Sequence, residues 1–208
     1  MKKAFLCICL LHEIYGTTTA EVFRKYPNHY FIETGSYYGE GIQNALSAGF
    51  HEIYSIELSP FFHEHCRVSF SSFMNIHLVL GNSTSALQQV LCKIDAPTTF
   101  WLDAHYSSGA TARGETNTPL LEELEAIRNH PIKTHTILID DIRHCGTAWF
   151  DFITFDDIVK KLHEINEDYC IGFENGHIEN DVLVARPRNQ ELGNFENQSR
   201  NLSFAQKQ

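Results

Sequence analysis

Short β-rich runs alternate with helical patterns along most of the chain, and this alternation restricts the fold more than any other feature. The runs are Tyr30 to Glu33, Glu52 to Glu57, Asn75 to Leu80, Thr98 to Asp103 and Thr134 to Asp140, with stretches of helical period between and after them. Apolar strands separated by helices form right-handed βαβ units, and the resulting parallel sheet is covered on both faces. The punctuation agrees. Gly49 stands where a helix from Gly41 to Ala48 must stop, and Pro60 follows Ser59 at a first helical position, where its missing N–H costs nothing. Thr118 precedes the helical "PLLEEL", and Thr154 with Asp157 has the spacing of a capping box for a helix to about Ile165. The last two runs, Tyr169 to Glu174 and Val182 to Ala185, have only the turn-rich "NGHIEND" between them, so they are expected to pair as an antiparallel hairpin at the sheet edge. The fold class expected is α/β: a doubly wound, Rossmann-like sheet of seven strands, mostly parallel with an antiparallel C-terminal edge hairpin.

In such a sheet a ligand sits at the carboxyl ends of the strands, and the first βα turn carries the glycines. Here that turn reads "ETGSYYGEG", or Glu33-x-Gly35-x-x-x-Gly39-x-Gly41. This is not the GxGxxG spacing that rests a dinucleotide pyrophosphate on a helix N-terminus, which disfavours NAD. The second strand ends on Glu57, a carboxylate able to accept both hydroxyls of a ribose. The third ends in "GNS", Gly81 to Ser83, where an amide can read an adenine edge. With 26 acidic residues against 16 Lys plus Arg, the formal charge is -10, and no basic block exists to neutralise a phosphate backbone. Nucleic acid is therefore not the expected partner.

A second group of polar residues gathers at the next strand ends. The fourth strand closes "LDAH" and the fifth closes "IDD", which brings Asp103, His105, Asp140 and Asp141 together if these strands are neighbours. Converging carboxylates repel unless protons or a cation neutralise them, and an open set of oxygen ligands suits Mg²⁺. Pairing of Asp140 or Asp141 with Arg143, or capping of the next loop, is the simpler reading of the same residues. An imidazole can take a hydroxyl proton near neutral pH; His105 is the first candidate and His144, in "DDIRHCG", its competitor. Trp149, Phe150 and Phe152 are candidates for an acceptor pocket or for core packing. "HEHC", His63 to Cys66, reads as a helix surface, because i and i+2 point to different faces.

The stretches "IETGSYYGEGI", "SIELSP", "LGNS" and "FWLDAH" resemble the successive cofactor motifs of class I S-adenosylmethionine-dependent methyltransferases, over roughly residues 28 to 186. The resemblance implies a sheet order of 3-2-1-4-5-7-6. It also implies that Gly35, Ser36 and Gly39 pass under the methionine part of S-adenosylmethionine, with Glu33 near its amine, Glu57 on the ribose, and Asn82 and Ser83 on the adenine. Asn82 stands where many relatives have Asp. The acids after the fourth and fifth strands are similar to those of the metal-dependent branch related to macrocin O-methyltransferase. That likeness implies a divalent ion, Mg²⁺, on Asp103, Asp140 and Asp141, with Asp103, His105 and His144 in catalytic roles. The expected activity is O-methylation of a small-molecule or sugar hydroxyl. The alternatives are an NAD(P)-dependent oxidoreductase and a methyltransferase-like binding module without catalysis.

Residues 21–187 are assigned to the methyltransferase domain and 188–208 to a polar tail without sustained period, expected to be mobile. Residues 1–20 read either as a first amphipathic helix or as a signal-like segment ending at Ala20. The run Ala4 to Leu11 is too short to span a bilayer. A cytoplasmic location is expected with the first reading and export with the second. The six cysteines show no framework spacing and are expected to be free thiols.

Overall fold

The structure, a computed structural model, describes residues 19–106, 114 and 116–189. Helix α1 (Thr19–Lys25) precedes β1 (Tyr30–Thr34), α2 (Glu40–Ala48), β2 (Glu52–Glu57), α3 (Pro60–Ser69), β3 (Ile76–Leu80), α4 (Ser83–Leu91) and β4 (Thr98–Leu102). Then come α5 (Leu120–Asn129), β5 (Thr136–Ile139), two single 3₁₀ turns (Ile142–His144 and Ala148–Phe150), α6 (Phe155–Ile165), β6 (Tyr169–Glu174) and β7 (Val182–Pro187). The seven strands form one sheet in the order β3-β2-β1-β4-β5-β7-β6. All pairings from β3 to β5 are parallel, whereas β7 lies antiparallel to both β5 and β6. The expected fold class, strand order and edge hairpin are all present.

Alternation along the strands divides the core into two layers. Ile32, Phe100, Leu102, Ile137 and Ile139 face α4, α5 and α6 through Leu87, Leu124, Ile127 and Leu162. Their neighbours Phe31, Trp101 and Leu138 face α1, α2 and α3 through Phe23, Ile42 and Cys66. Both faces of the sheet are thus covered, which is why its strands read as unbroken apolar runs rather than alternating ones. Ala20 belongs to α1, whose Val22 and Phe23 are buried, so the division drawn at residue 20 falls inside a packed helix. Residues 1–18 and 190–208, including the Ala4 to Leu11 run and nearly all of the polar tail, lie outside the described residues. No helix among the described residues is long and apolar enough to cross a membrane.

Most of the expected helix signals are used. Gly49 ends α2 with φ 93°, Pro60 opens α3, and Thr154 and Asp157 form a reciprocal capping box on α6. Thr118 does not cap α5. Pro119 holds that position without a side-chain cap, and the Thr118 N–H donates to Asp151 Oδ2 at 3.0 Å. In "HEHC" Cys66 is buried in the core while His65 is exposed on the outside of α3.

Beneath the amino end of β4 runs a buried histidine pair. Thr98 N–H donates to His135 Nδ1 at 3.1 Å, so the other ring nitrogen, Nε2, is the donor to His130 Nδ1 at 2.9 Å; His130 Nε2 then donates to the Ile94 carbonyl at 3.2 Å. A second proton on His135 would set two donors against each other. Burial, with His130 and Lys133 adding to it, pushes this imidazole down to about 3 from 6.5. A folded pKa below the unfolded one gives stability that is present above pH 6.5 and lost as pH falls from 6.5 through 3, at about 1.4 kcal/mol per pH unit. Urea unfolding across that window is expected to show the loss in the wild type, and His135→Gln is expected to lack that component of the slope. Parallel pH profiles for the two proteins would remove the histidine from the account.

Candidate functional site

A cavity of about 500 Å³ opens at the carboxyl ends of β1 to β4, within the roughly 300–1,000 Å³ typical of small-ligand sites. Gly35 forms part of its floor. Its φ is +89°, and a Cβ there would lie 2.5 Å from the Asp103 carbonyl oxygen, so the loops after β1 and β4 approach more closely than any side chain permits. Glu57 stands on the next wall, with Oε2 accepting the Tyr37 N–H at 2.9 Å and Oε1 the Ser59 N–H at 2.7 Å. These bonds fix the carboxylate and leave lone pairs on both oxygens for a ligand. Asn82 uses its side-chain oxygen to cap α4, accepting from the N–H and hydroxyl of Thr84 at 3.1 and 3.0 Å. Its amide nitrogen remains for the cavity, which Ser83 also lines.

Gly35, Glu57, Asn82 and Ser83 therefore share one cavity, together with Asp103 and His105. Glu33, Ser36 and Gly39 lie behind it. Glu33 is 1% exposed; Ser55 Oγ donates to its Oε1 at 2.5 Å, and Ser36 hydrogen-bonds Ser55 in turn. A Cβ on Gly41 would collide with Glu33 Oε2 at 1.9 Å, so this carboxyl packs against the first turn of α2. Burial pushes it up to about 8, despite the Ser55 bond. Gly39, with φ 88°, begins α2 and sits against Phe70 and Cys66. Tyr37, inside the Gly35 to Gly39 stretch, lines the cavity, and so do Phe62 and Asn117, which were not among the expected ligand-binding residues; an aromatic such as Phe62, its ring 4.6 Å from that of Tyr37, carries no sequence mark separating a ligand wall from core.

Past β4 and β5 the polar residues converge as well. His105 is held at both ring nitrogens, with Nδ1 3.4 Å from Asp103 Oδ1 and Nε2 2.8 Å from Asp141 Oδ2. Burial works against its proton, but these two carboxylates outweigh that and lift the imidazole to about 9. His144 behaves oppositely: burial first, then the charge of Arg143, lowers it and so favours the neutral ring. Asp140, Asp141 and Asp181 can place one oxygen each within 4.8 Å of one another, and His105, Asp141 and His144 form a second such group. Asp103 is in neither group and stands instead against His105. Asp181, 1% exposed and not among the expected acids, joins the first group, brought in next to the antiparallel strand β7. Arg143 bridges Asp141 and Asp181. The pairing weighed for Arg143 is thus real, yet one guanidinium faces three clustered carboxylates. Burial and the charges of Asp103 and Asp141 push Asp140 up to about 8. Phe150 is buried with its ring 5.5 Å from that of His105, and the exposed Trp149 lies 6.0 Å from His144. Phe152 is 69% exposed and is not a core residue.

No family model and no curated protein matches the chain. Solved structures do. The S-adenosylhomocysteine-bound methyltransferase PaMTH1 of Podospora anserina is similar with a TM-score of 0.56 and 15% identity, over 82% of this chain and 76% of that one. An O-methyltransferase from Bacillus cereus in complex with S-adenosylhomocysteine gives 0.53 and 13%, over 80% and 76%. A candidate rRNA methylase from Clostridium thermocellum gives 0.58 and 10%, over 80% and 93%. At these identities the likeness establishes the fold, which the chain shares with these solved methyltransferases.

Proposed function

We propose that the protein transfers a methyl group from S-adenosylmethionine to a hydroxyl of a small-molecule acceptor, with sugars and phenols as the candidate classes. The observation that carries this reading is the shared cavity: Glu57, held by two backbone amides, faces Asn82 and Ser83 across a floor that only Gly35 permits. In this reading Glu57 accepts the ribose hydroxyls, and the Asn82 amide with Ser83 meets the adenine. Asp103 and His105 line the same cavity on the side of the acid group and would face the methyl of a bound cofactor. The acceptor hydroxyl would be held beside these two residues, and holding two reactants in register is itself a large part of such catalysis. The absent GxGxxG spacing speaks against a dinucleotide at the same place.

Of the two histidines, His144 is the better base. Both ring nitrogens of His105 face carboxylates, so it orients and carries charge, whereas no such clamp holds His144. A divalent ion fits the donor set, because Asp140, Asp141 and Asp181 can each offer an oxygen within 4.8 Å of the others, and it would take over the charge that Arg143 and His105 now offset. These three residues would hold it, and it would supply Lewis-acid activation of the acceptor hydroxyl.

Titration calorimetry with S-adenosylhomocysteine and with NAD, run separately, is expected to show binding of the first and none of the second; the reverse pattern would replace the methyltransferase with an oxidoreductase. Changing Asp140 and Asp141 together to Asn is expected to lower methyl transfer by more than about a hundredfold, since a bound divalent ion is worth several kcal/mol to the transition state. Affinity for S-adenosylhomocysteine should be largely kept. Full activity in that double variant, unaffected by chelator, would sink the metal assignment.

A further inference from the structure

We propose that Asp151 is a positioning residue that ties the wall of the cofactor cavity to the turn on the acceptor side, so that the two halves of the site stay in register. The identity of the cofactor in this proposal rests on the reading above. The turn from Gly146 to Ile153 is closed on itself: Gly146 N–H donates to the Ile153 carbonyl at 2.7 Å, Phe152 N–H to Thr147 at 2.8 Å and Asp151 N–H to Ala148 at 3.3 Å. Inside it Asp151 and Phe152 have φ of 49° and 62°. Left-handed backbone is tolerable for Asp and strained for Phe. Two such residues in succession persist only where their surroundings over-determine them.

The Asp151 carboxylate supplies that constraint from outside the turn. Its Oδ2 accepts the backbone N–H groups of Asn117 and Thr118 at 2.7 and 3.0 Å, and its Oδ1 accepts Asn117 Nδ2 at 2.8 Å. Asn117 Nδ2 donates also to the Ala148 carbonyl at 2.9 Å, and the Asn117 carbonyl accepts the Tyr106 N–H at 2.7 Å. Tyr106, Thr116, Asn117 and Pro119 line the cavity. On the other side, the turn carries Trp149 and Phe150, each 6.0 Å from the ring of His144. Three N–H donors from the cavity wall therefore end on one carboxylate of the acceptor-side turn. A loop that needed only a local cap would satisfy its own amides, as Thr147 does for Trp149 N–H at 3.3 Å; the acceptor of Asp151 reaches across 33 or 34 positions of sequence instead.

Two substitutions separate the carboxylate from the backbone that carries it. Asp151→Asn keeps the shape and the tolerance for positive φ but loses one acceptor oxygen, and Asp151→Gly keeps the backbone geometry and loses the side chain. Asp157→Ala, which removes the capping box of α6, serves as a control that destabilises without touching the cavity wall. Both Asp151 variants are expected to bind S-adenosylhomocysteine about tenfold more weakly, the effect of losing roughly one charge-assisted hydrogen bond. Hydrogen exchange at the Asn117 and Thr118 amides should rise in both and stay unchanged in Asp157→Ala. Wild-type affinity in both Asp151 variants, or an equal loss of affinity in Asp157→Ala, would overturn the proposal. Should the wild-type protein itself fail to bind S-adenosylhomocysteine, the cofactor reading falls and exchange alone decides: faster exchange in the Asp151 variants supports positioning of the wall, and unchanged exchange overturns it.

Discussion

Gly35→Ala is expected to cost about 2–5 kcal/mol of stability and to abolish binding at the cavity. A residue with a Cβ at φ +89° loses about 1–2 kcal/mol to left-handed strain. The methyl would also meet the Asp103 carbonyl oxygen at 2.5 Å and Ala104 Cα at 3.3 Å, and relieving contact with backbone adds about 1–3 kcal/mol. For a chain of this size the sum corresponds to a fall in Tm of about 10 °C. Gly49 provides the comparison, because it has φ +93° but nothing within 4 Å of its would-be Cβ. Gly49→Ala should therefore show the conformational cost alone. Equal Tm losses for the two variants would mean that the β1 and β4 loops can part freely, and the cavity floor would lose its stated cause.

The second large effect is expected at Glu57. Glu57→Ala leaves the N–H groups of Tyr37 and Ser59 without their acceptor and removes the carboxylate from the cavity wall. Each bond to a charged acceptor is worth about 1.5–3 kcal/mol, so S-adenosylhomocysteine affinity should fall by about two orders of magnitude or more. Glu57→Gln, which keeps the shape and one carbonyl acceptor, should lie between Ala and wild type. Calorimetry on all three proteins checks the order, with Tm measured alongside. Wild-type affinity in a folded Glu57→Ala variant would take the ribose away from this residue.

The sheet was readable because burial on both faces writes parallel strands as continuous apolar runs, and Phe31, Ile32, Phe100 and Trp101 are such residues. The ends of those strands were harder. A carboxylate at a strand end points to one face or the other according to a period of two. Glu33 shares the parity of Phe31, the residue that faces α2, and it packs against that helix. Glu57, by contrast, is turned to the cavity by amides of two different loops. Local spacing does not report which of these occurs. Asp181 was missed for a different reason. It lies 40 residues from Asp141 in sequence and reaches it only because β7 inserts antiparallel beside β5, a fact of topology with no local motif. Thr118 had the residue type of a cap, but its N–H serves Asp151 instead, and a tertiary bond of that length leaves no trace in the neighbouring residues.

The insertion of β7 between β5 and β6 also sets an order of assembly during synthesis. Every residue lining the cavity precedes α5 or lies in its first turn, and the parallel strands from β3 to β5 can be in place once residue 139 has emerged. Asp181 and the strand that carries it come more than 40 residues later, and β6, made first, has no neighbour in the sheet until β7 arrives. A growing chain thus owns the walls of its cavity well before it owns the third carboxylate of its acid group. The acid group is finished only by the strand that closes the sheet.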